Sequence, residues 1–99
     1  MDDSMSGSTR TSADLDPRRR KILFRAWHRG LREMDLVLGQ FADAHLAELS
    51  DAELDSFEEI LEVGDRDLYQ WVMGETPVPS AHDTHMFNRV LAFRRAMTF

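Results

Sequence analysis

The sequence contains no cysteine among its 99 residues. This absence excludes disulfide bonds, thiolate zinc sites, cysteine-held iron–sulfur clusters and cysteine nucleophiles. Long hydrophobic runs are also missing, since uninterrupted apolar stretches reach only three or four residues. A membrane-spanning helix needs about 20 predominantly apolar residues. We therefore expect neither membrane insertion nor cysteine-based chemistry.

The sequence also lacks the short motifs of common enzyme sites. It has no Gly-rich phosphate loop, dinucleotide fingerprint or nucleophile elbow. The acidic residues of segment 51–62 have the pattern of a solvated helix face, because a paired-carboxylate site needs burial to separate its two pKa values. His82 and His85 lack a third metal ligand with a defined second shell. We expect a non-enzymatic protein with no metal site and no cofactor of its own.

Charge is unevenly distributed along the chain, whose net charge is −6. Segment 17–32 carries seven bases and no acid, whereas segment 33–88 carries fourteen acids and one base, Arg66. The net negative charge argues against nucleic-acid binding, which depends on Lys and Arg at phosphates. The basic cluster Arg18–Lys21 lies at the start of a predicted helix, where the helix dipole disfavours cations. Two interpretations stay open for it, a solvated basic arm and a patch for an acidic partner.

The first 16 residues are rich in Ser, Thr, Asp and Gly, and they have almost no apolar content. Such a segment cannot offset its ordering entropy, so we predict a disordered N-terminal tail at residues 1–16. It has no apolar h-region of a signal peptide and is too acidic for a mitochondrial transit peptide. We predict one helical domain at residues 17–99 and a location in the bacterial cytoplasm.

Two helices are predicted in the basic segment and the residues that follow it. Apolar residues at spacings of three and four predict a first helix from Pro17 to near Gly30, a residue type that commonly ends helices. A second apolar stripe predicts a second helix from about Glu33 to His45.

Three further helices are predicted downstream. Ser50 and Glu53 have the spacing of a capping box, which predicts the start of a third helix that ends at Gly64. Asp65 is the predicted cap of a fourth helix. Segment 77–79, Pro-Val-Pro, predicts an extended linker.

A second capping box, Ser80–Asp83, is predicted to begin the fifth helix. No segment shows the period-two alternation of a strand. The predicted fold is therefore all-α, a compact five-helix bundle. Its core candidates are the large aromatic residues Trp27, Phe41, Phe57, Trp71, Phe87 and Phe93.

The segment Arg29–Glu33, with the sequence RGLRE, joins the first two predicted helices. One interpretation is purely structural, a helix-ending glycine with a base and an acid placed favourably for the helix dipoles. The other is functional. Arg29 and Glu33 would present a guanidinium and a carboxylate beside Gly30, whose missing side chain lets another backbone approach closely.

The RGLRE segment resembles the RGxxE motif of the flavinator family, which comprises the bacterial SdhE-type and the mitochondrial succinate dehydrogenase assembly factors. The flanking segments Leu23–His28 and Met34–Leu38 are similar to the sequences around that motif in the family. Phe57–Glu62 resembles a second family block. The similarity extends from about Pro17 to Gly74, while the remaining residues match only in helical character.

This resemblance implies a five-helix bundle that acts as an assembly factor. It implies binding to the flavoprotein subunit of succinate dehydrogenase, with fumarate reductase flavoprotein as a second client, and promotion of covalent FAD attachment to a client histidine. The implied partner-binding residues are Arg29, Gly30, Arg32, Glu33 and Asp35. FAD would belong to the client, and a monomeric helper would supply no catalytic residue.

Two other functions stay open at this stage. The first is an antitoxin-like or regulatory adaptor that binds a protein partner, although the acidic middle of the chain disfavours DNA contact. The second is a small metal-dependent hydrolase that uses the carboxylates of segment 51–62 or the His82 and His85 pair.

Overall fold

A computed structural model describes residues 14–97. Within that range it contains five α-helices and no strand, which confirms the predicted all-α class and the number of helices. The helices are α1 (Pro17–Trp27), α2 (Arg32–His45), α3 (Asp51–Leu61), α4 (Asp65–Val72) and α5 (His85–Arg95), with short 3-10 turns at Leu46–Glu48 and Ser80–His82. They divide into an N-terminal unit that ends at Leu49 and a C-terminal unit that begins at Ser50.

The ordered structure begins earlier than the sequence predicted. Most of the predicted tail, residues 1–13, lies outside the described residues. Leu15, however, is only 5% exposed. Asp16 is the N-cap of α1, where its carboxylate accepts a hydrogen bond from the Arg19 amide at 3.2 Å. One buried apolar residue and one capping carboxylate therefore extend the fold to the N-terminal side of Pro17.

In the N-terminal unit, α1 packs against α2. The contacts come from one apolar stripe on each helix, with Ile22, Leu23, Ala26 and Trp27 buried on α1 and Met34, Val37, Leu38, Phe41 and Ala42 buried on α2. The predicted end of the first helix near Gly30 was too late. Helix α1 ends at Trp27, and the amide of the C-cap residue His28 donates to the Arg25 carbonyl at 3.3 Å.

Two bases of the Arg18–Lys21 cluster make hydrogen bonds to other residues of the N-terminal unit. The Arg19 guanidinium donates to the Leu46 carbonyl at 3.1 Å and to the Leu49 carbonyl, and it pairs with Asp16 at 2.8 Å. Arg20 donates to the Leu15 carbonyl at 2.5 Å. The interpretation of the whole cluster as a solvated arm is therefore wrong for Arg19, which is half-buried, whereas Arg20 is exposed.

In the C-terminal unit, the predicted capping box of α3 is confirmed. Ser50 accepts from the Glu53 amide at 3.2 Å, and the Glu53 carboxylate accepts from the Ser50 amide at 2.8 Å. Helix α3 ends at Leu61, three residues before the predicted Gly64. Gly64 instead is the N-cap of α4, so the predicted cap at Asp65 is wrong and Asp65 is the first helical residue.

The start of α5 also differs from the prediction. Ser80 begins a 3-10 turn, and the N-cap is Thr84, whose hydroxyl accepts from the Phe87 amide at 3.1 Å. The predicted linker 77–79 has no regular secondary structure. Helix α5 packs against α3 and α4.

Four of the six core candidates are buried. These are Trp27, Phe41, Phe57 and Phe87. Trp71 and Phe93 are only half-buried. No helix in the described range 14–97 is long and apolar enough to cross a membrane.

Candidate functional site

The corner between α1 and α2 is formed by residues 28–31, which have no regular secondary structure. Gly30 has a φ of +90°, a conformation that L-residues with a side chain rarely adopt. Leu31 is the N-cap of α2 and supplies no side-chain cap, because its side chain has no hydrogen-bond acceptor. The corner therefore depends on a glycine and on hydrogen bonds from other residues.

Asp35 holds the corner from the first turn of α2. Its carboxylate accepts a hydrogen bond from the Arg29 amide at 2.6 Å, and its own amide donates to the Leu31 carbonyl at 2.9 Å. These two bonds link both ends of the loop to the helix. Glu33 and Asp35 both lie at the positive end of the α2 dipole, where carboxylates are stabilised.

The five residues predicted to bind a partner are brought together at this corner. Arg32 and Gly30 are exposed, and Arg29, Glu33 and Asp35 are half-buried. Within residues 14–97, the side chains of Arg32 and Glu33 make no hydrogen bond and no ion pair. A cation and a carboxylate, adjacent in the first turn of α2, are thus available to a partner.

Gly30 leaves open space at the surface of the corner. A Cβ atom built on it would have no neighbour within 4 Å. Steric crowding within the chain therefore does not require glycine here, and the positive φ does. The same missing side chain lets a partner backbone approach the corner closely.

One contact at the end of α1 could not be predicted from the sequence. The Trp27 ring packs so closely on Gly39 of α2 that an added Cβ would lie 2.3 Å from Trp27 Cδ2. The indole N–H donates to the Asp43 carboxylate at 3.3 Å. The only available signal was a glycine in the interior of a predicted helix, where glycine costs about 1 kcal/mol relative to alanine.

Neither of the two ionisable groups with clearly shifted pKa values is a residue of this corner. Hydrogen bonding from the Arg19 side chain lowers the pKa of Asp16, and a hydrogen bond from the Ser50 amide lowers the pKa of Glu53. The shift of Glu53 therefore follows from the capping box, whereas that of Asp16 comes mainly from its bond to the Arg19 guanidinium.

The prediction that His82 and His85 lie on one helix is wrong. His82 lies in the 3-10 turn, where its ring is 4.9 Å from the Trp71 ring, and His85 is the first residue of α5. No group of three His, Cys, Asp or Glu residues in the described part of the chain could hold a metal ion.

The C-terminal unit contains a separate groove of about 580 Å³. Its lining includes Trp71, Val78, Leu91 and Arg95. Arg94 also lines it and donates through Nε to Met73 Sδ at 3.2 Å. None of the predicted partner-binding residues belongs to this groove.

Comparison with known proteins connects this chain to a characterised group. A family model described as flavinator of succinate dehydrogenase matches residues 20–94. The FAD assembly factor SdhE of Acetobacter pasteurianus is 38% identical over 88 residues, which cover 89% of this chain and 81% of the relative.

Mitochondrial relatives are similar over a smaller share of their length. Succinate dehydrogenase assembly factor 2 of Meyerozyma guilliermondii is 34% identical over 73 residues, and that of Dictyostelium discoideum is 28% identical over 78 residues. The aligned regions cover 71% and 79% of this chain but only 54% and 55% of these relatives. No solved structure matches the chain.

Proposed function

The chain belongs to the flavinator of succinate dehydrogenase family, and on that basis we propose that it binds the flavoprotein subunit of succinate dehydrogenase and promotes covalent attachment of FAD to a histidine of that subunit. The observation that carries the proposal is the family match over residues 20–94, which includes the whole α1–α2 corner. The SdhE relative, named as an FAD assembly factor, supports it.

The proposed contact surface is the corner formed by Arg29, Gly30, Arg32, Glu33 and Asp35. Arg32 and Glu33 have no partner within residues 14–97, so their pairing with client groups would break no bond inside the chain. A guanidinium can hold a carboxylate through two parallel hydrogen bonds, which fixes orientation as well as distance. Asp35 contributes by holding the Arg29 amide and hence the loop conformation.

The proposed mechanism is the selection of a client conformation. FAD and the client histidine supply the chemistry, and this chain acts as a monomer without a catalytic residue or a cofactor of its own. A helper that binds one client conformation more tightly shifts the population toward it, by tenfold for each 1.4 kcal/mol of differential affinity. Orientation of the histidine toward the flavin would then raise the rate of attachment.

The proposal extends to a second client and to a compartment. The fumarate reductase flavoprotein is the second client, because the family resemblance includes that enzyme. The bacterial cytoplasm is the proposed location, which the similarity to a bacterial relative supports.

The proposal is tested by the fluorescence of covalently bound flavin in the denatured flavoprotein subunit. The subunit is taken from cells with the gene intact, deleted, or carrying Arg29→Ala or Glu33→Ala. Loss of fluorescence on deletion and in both variants is expected. Unchanged fluorescence after deletion would remove the proposed role.

Matched substitutions away from the corner serve as controls. Arg66→Ala removes an exposed base on α4, and Glu59→Ala removes an exposed acid on α3. Both controls should retain full flavin fluorescence. Equal losses in the controls and in the corner variants would mean that the effect comes from general charge or protein level and not from the corner.

A further inference from the structure

Phe24 is the one large hydrophobic side chain that is exposed within residues 14–97, with 48% of its surface accessible. It lies on α1, whose other apolar residues are buried. Single exposed apolar residues are common and need no explanation by themselves. The contacts and neighbours of Phe24 distinguish it from that background.

The Phe24 ring is stacked on His28, one helical turn further along the chain. The ring centroids are 4.0 Å apart, and the ring planes differ by 15°. His28 Nδ1 lies 2.8 Å from the Phe24 carbonyl oxygen, and because a carbonyl only accepts, Nδ1 is the donor. This bond restrains the imidazole, so binding against the pair would order fewer side-chain rotamers than binding against two free rings.

This pair continues directly into the α1–α2 corner. His28 is exposed, is the C-cap of α1 and is followed in sequence by Arg29 and the exposed Gly30. An accessible surface therefore runs from the Phe24 ring through His28 to the glycine. The pair and the corner lie within the same unit of the structure.

The chain segment that contains the pair is positively charged. Segment 17–32 contains seven bases and no acid. Lys21, one turn before Phe24, is exposed. A complementary partner surface would therefore place carboxylates around an apolar centre.

We propose that Phe24 and His28 form a stacking platform that receives an apolar or aromatic side chain of the client flavoprotein, flanked by client carboxylates. The inference rests on the proposed function, because it extends the same contact surface by one helical turn. Aromatic side chains supply a large contact area with few rotatable bonds, and they are enriched among the residues that dominate binding.

An anionic lipid surface is the other occupant that a basic helix could suit. A helix that lies in a membrane interface inserts an apolar face of several residues. The apolar stripe of α1 is used inside the fold, since Ile22, Leu23, Ala26 and Trp27 are all buried. One phenylalanine is therefore all that α1 offers to a bilayer, which favours a protein partner.

The test compares the affinity of purified variants for the purified client flavoprotein subunit by isothermal titration calorimetry. Phe24→Ser should weaken binding by about tenfold or more, and His28→Ala by a smaller factor. Phe24→Tyr should bind like the unmodified chain. Gln40→Ser, at an exposed position of α2, should also bind normally. Circular dichroism checks that each variant folds, which is expected because none of the three substituted residues is buried.

The outcomes separate this inference from the proposed function. Binding by Phe24→Ser within about twofold of the unmodified chain, together with loss of binding by Arg29→Ala, would overturn the platform and leave the corner intact. No binding by the unmodified chain would overturn both. Binding to phosphatidylglycerol vesicles that Phe24→Ser abolishes, with client binding unaffected, would assign the platform to lipid and overturn its assignment to the client.

Discussion

The indole ring of Trp27 lies against the backbone of Gly39, so closely that a Cβ atom at residue 39 would be 2.3 Å from Trp27 Cδ2 and 2.5 Å from Cε2. Trp27 is the last residue of α1, and Gly39 lies in the middle of α2. The contact therefore fixes the distance between the two helices just before the corner. Glycine at residue 39 costs α2 some local stability and leaves the space that the tryptophan ring occupies.

Gly39→Ala should destabilise the protein by about 1–3 kcal/mol, the usual range for overpacking a close contact. The ring atoms near residue 39 belong to a buried indole, which is 5% exposed and bonded to Asp43, so the indole cannot turn away freely. Chemical denaturation measures the change in the free energy of unfolding. Gly64→Ala is the matched control, because a Cβ there would meet no atom within 4 Å and its φ is −62°. Equal stability of Gly39→Ala and the unmodified protein would contradict the packing described here.

Gly30→Ala should fold but lose about 1–3 kcal/mol of stability, since a side chain at a φ of +90° is strained. Gly30→Arg should fold similarly and lose client binding, because its long side chain would fill the space left for the partner. Thermal unfolding and client titration measure the two effects separately. Gly74→Ala has comparable strain at a φ of +79° in the C-terminal unit, and it should retain client binding. Loss of binding in Gly74→Ala as well would attribute the effect to stability alone.

Arg19→Met should destabilise the protein by about 1–3 kcal/mol, the range for hydrogen bonds that involve a charged group. The substitution keeps much of the apolar stem but removes the donors to the Leu46 and Leu49 carbonyls. Urea denaturation provides the measurement. Lys21→Met removes an exposed charge from the same helix and should change stability by less than about 0.5 kcal/mol. If both substitutions had the same effect, the bonds of Arg19 would not be stabilising.

Acidification should weaken the capping box of α3. The Ser50 amide holds the pKa of Glu53 below its ordinary value of 4.5 in the folded protein. A carboxyl group with a lowered folded pKa contributes stability that is complete above the unfolded pKa and is lost as pH falls through the folded value. The contribution of Glu53 should therefore be constant near neutral pH and decline only below about pH 4.5.

The difference in unfolding free energy between Glu53→Gln and the unmodified protein, followed against pH, measures this decline. Glu59→Gln, at an exposed position of α3 outside the capping box, should leave the acid part of the profile unchanged. A Glu53→Gln profile parallel to that of the unmodified protein at all pH values would contradict the linkage.

The sequence predicted those structural features that depend on residues close to one another along the chain. Ser50 and Glu53 lie three residues apart and bond to each other's backbone, so their sequence spacing is sufficient to predict the cap. The corner at Arg29–Glu33 was predicted because glycine between two apolar stripes favours a change of direction. The positive φ of Gly30 agrees with that interpretation.

Features that depend on a second helix or on a choice between neighbouring caps could not be predicted. The end of α1 at Trp27 accompanies ring packing on Gly39, which lies twelve positions along the chain. At α4, Gly64 occupies the extended N-cap position next to the predicted Asp65. At α5, Thr84 caps the helix after Ser80 begins a separate 3-10 turn. Composition favours several cap candidates, and the backbone path selects one.

The most direct test of the central claim uses purified components. The client flavoprotein subunit, prepared without covalent flavin, is incubated with FAD and with the chain, and covalent flavin is measured after denaturation. We predict faster or more complete attachment with the unmodified chain than without it, and no increase with folded Arg29→Ala or Glu33→Ala. Attachment at the same rate and to the same extent with and without the unmodified chain would contradict the account.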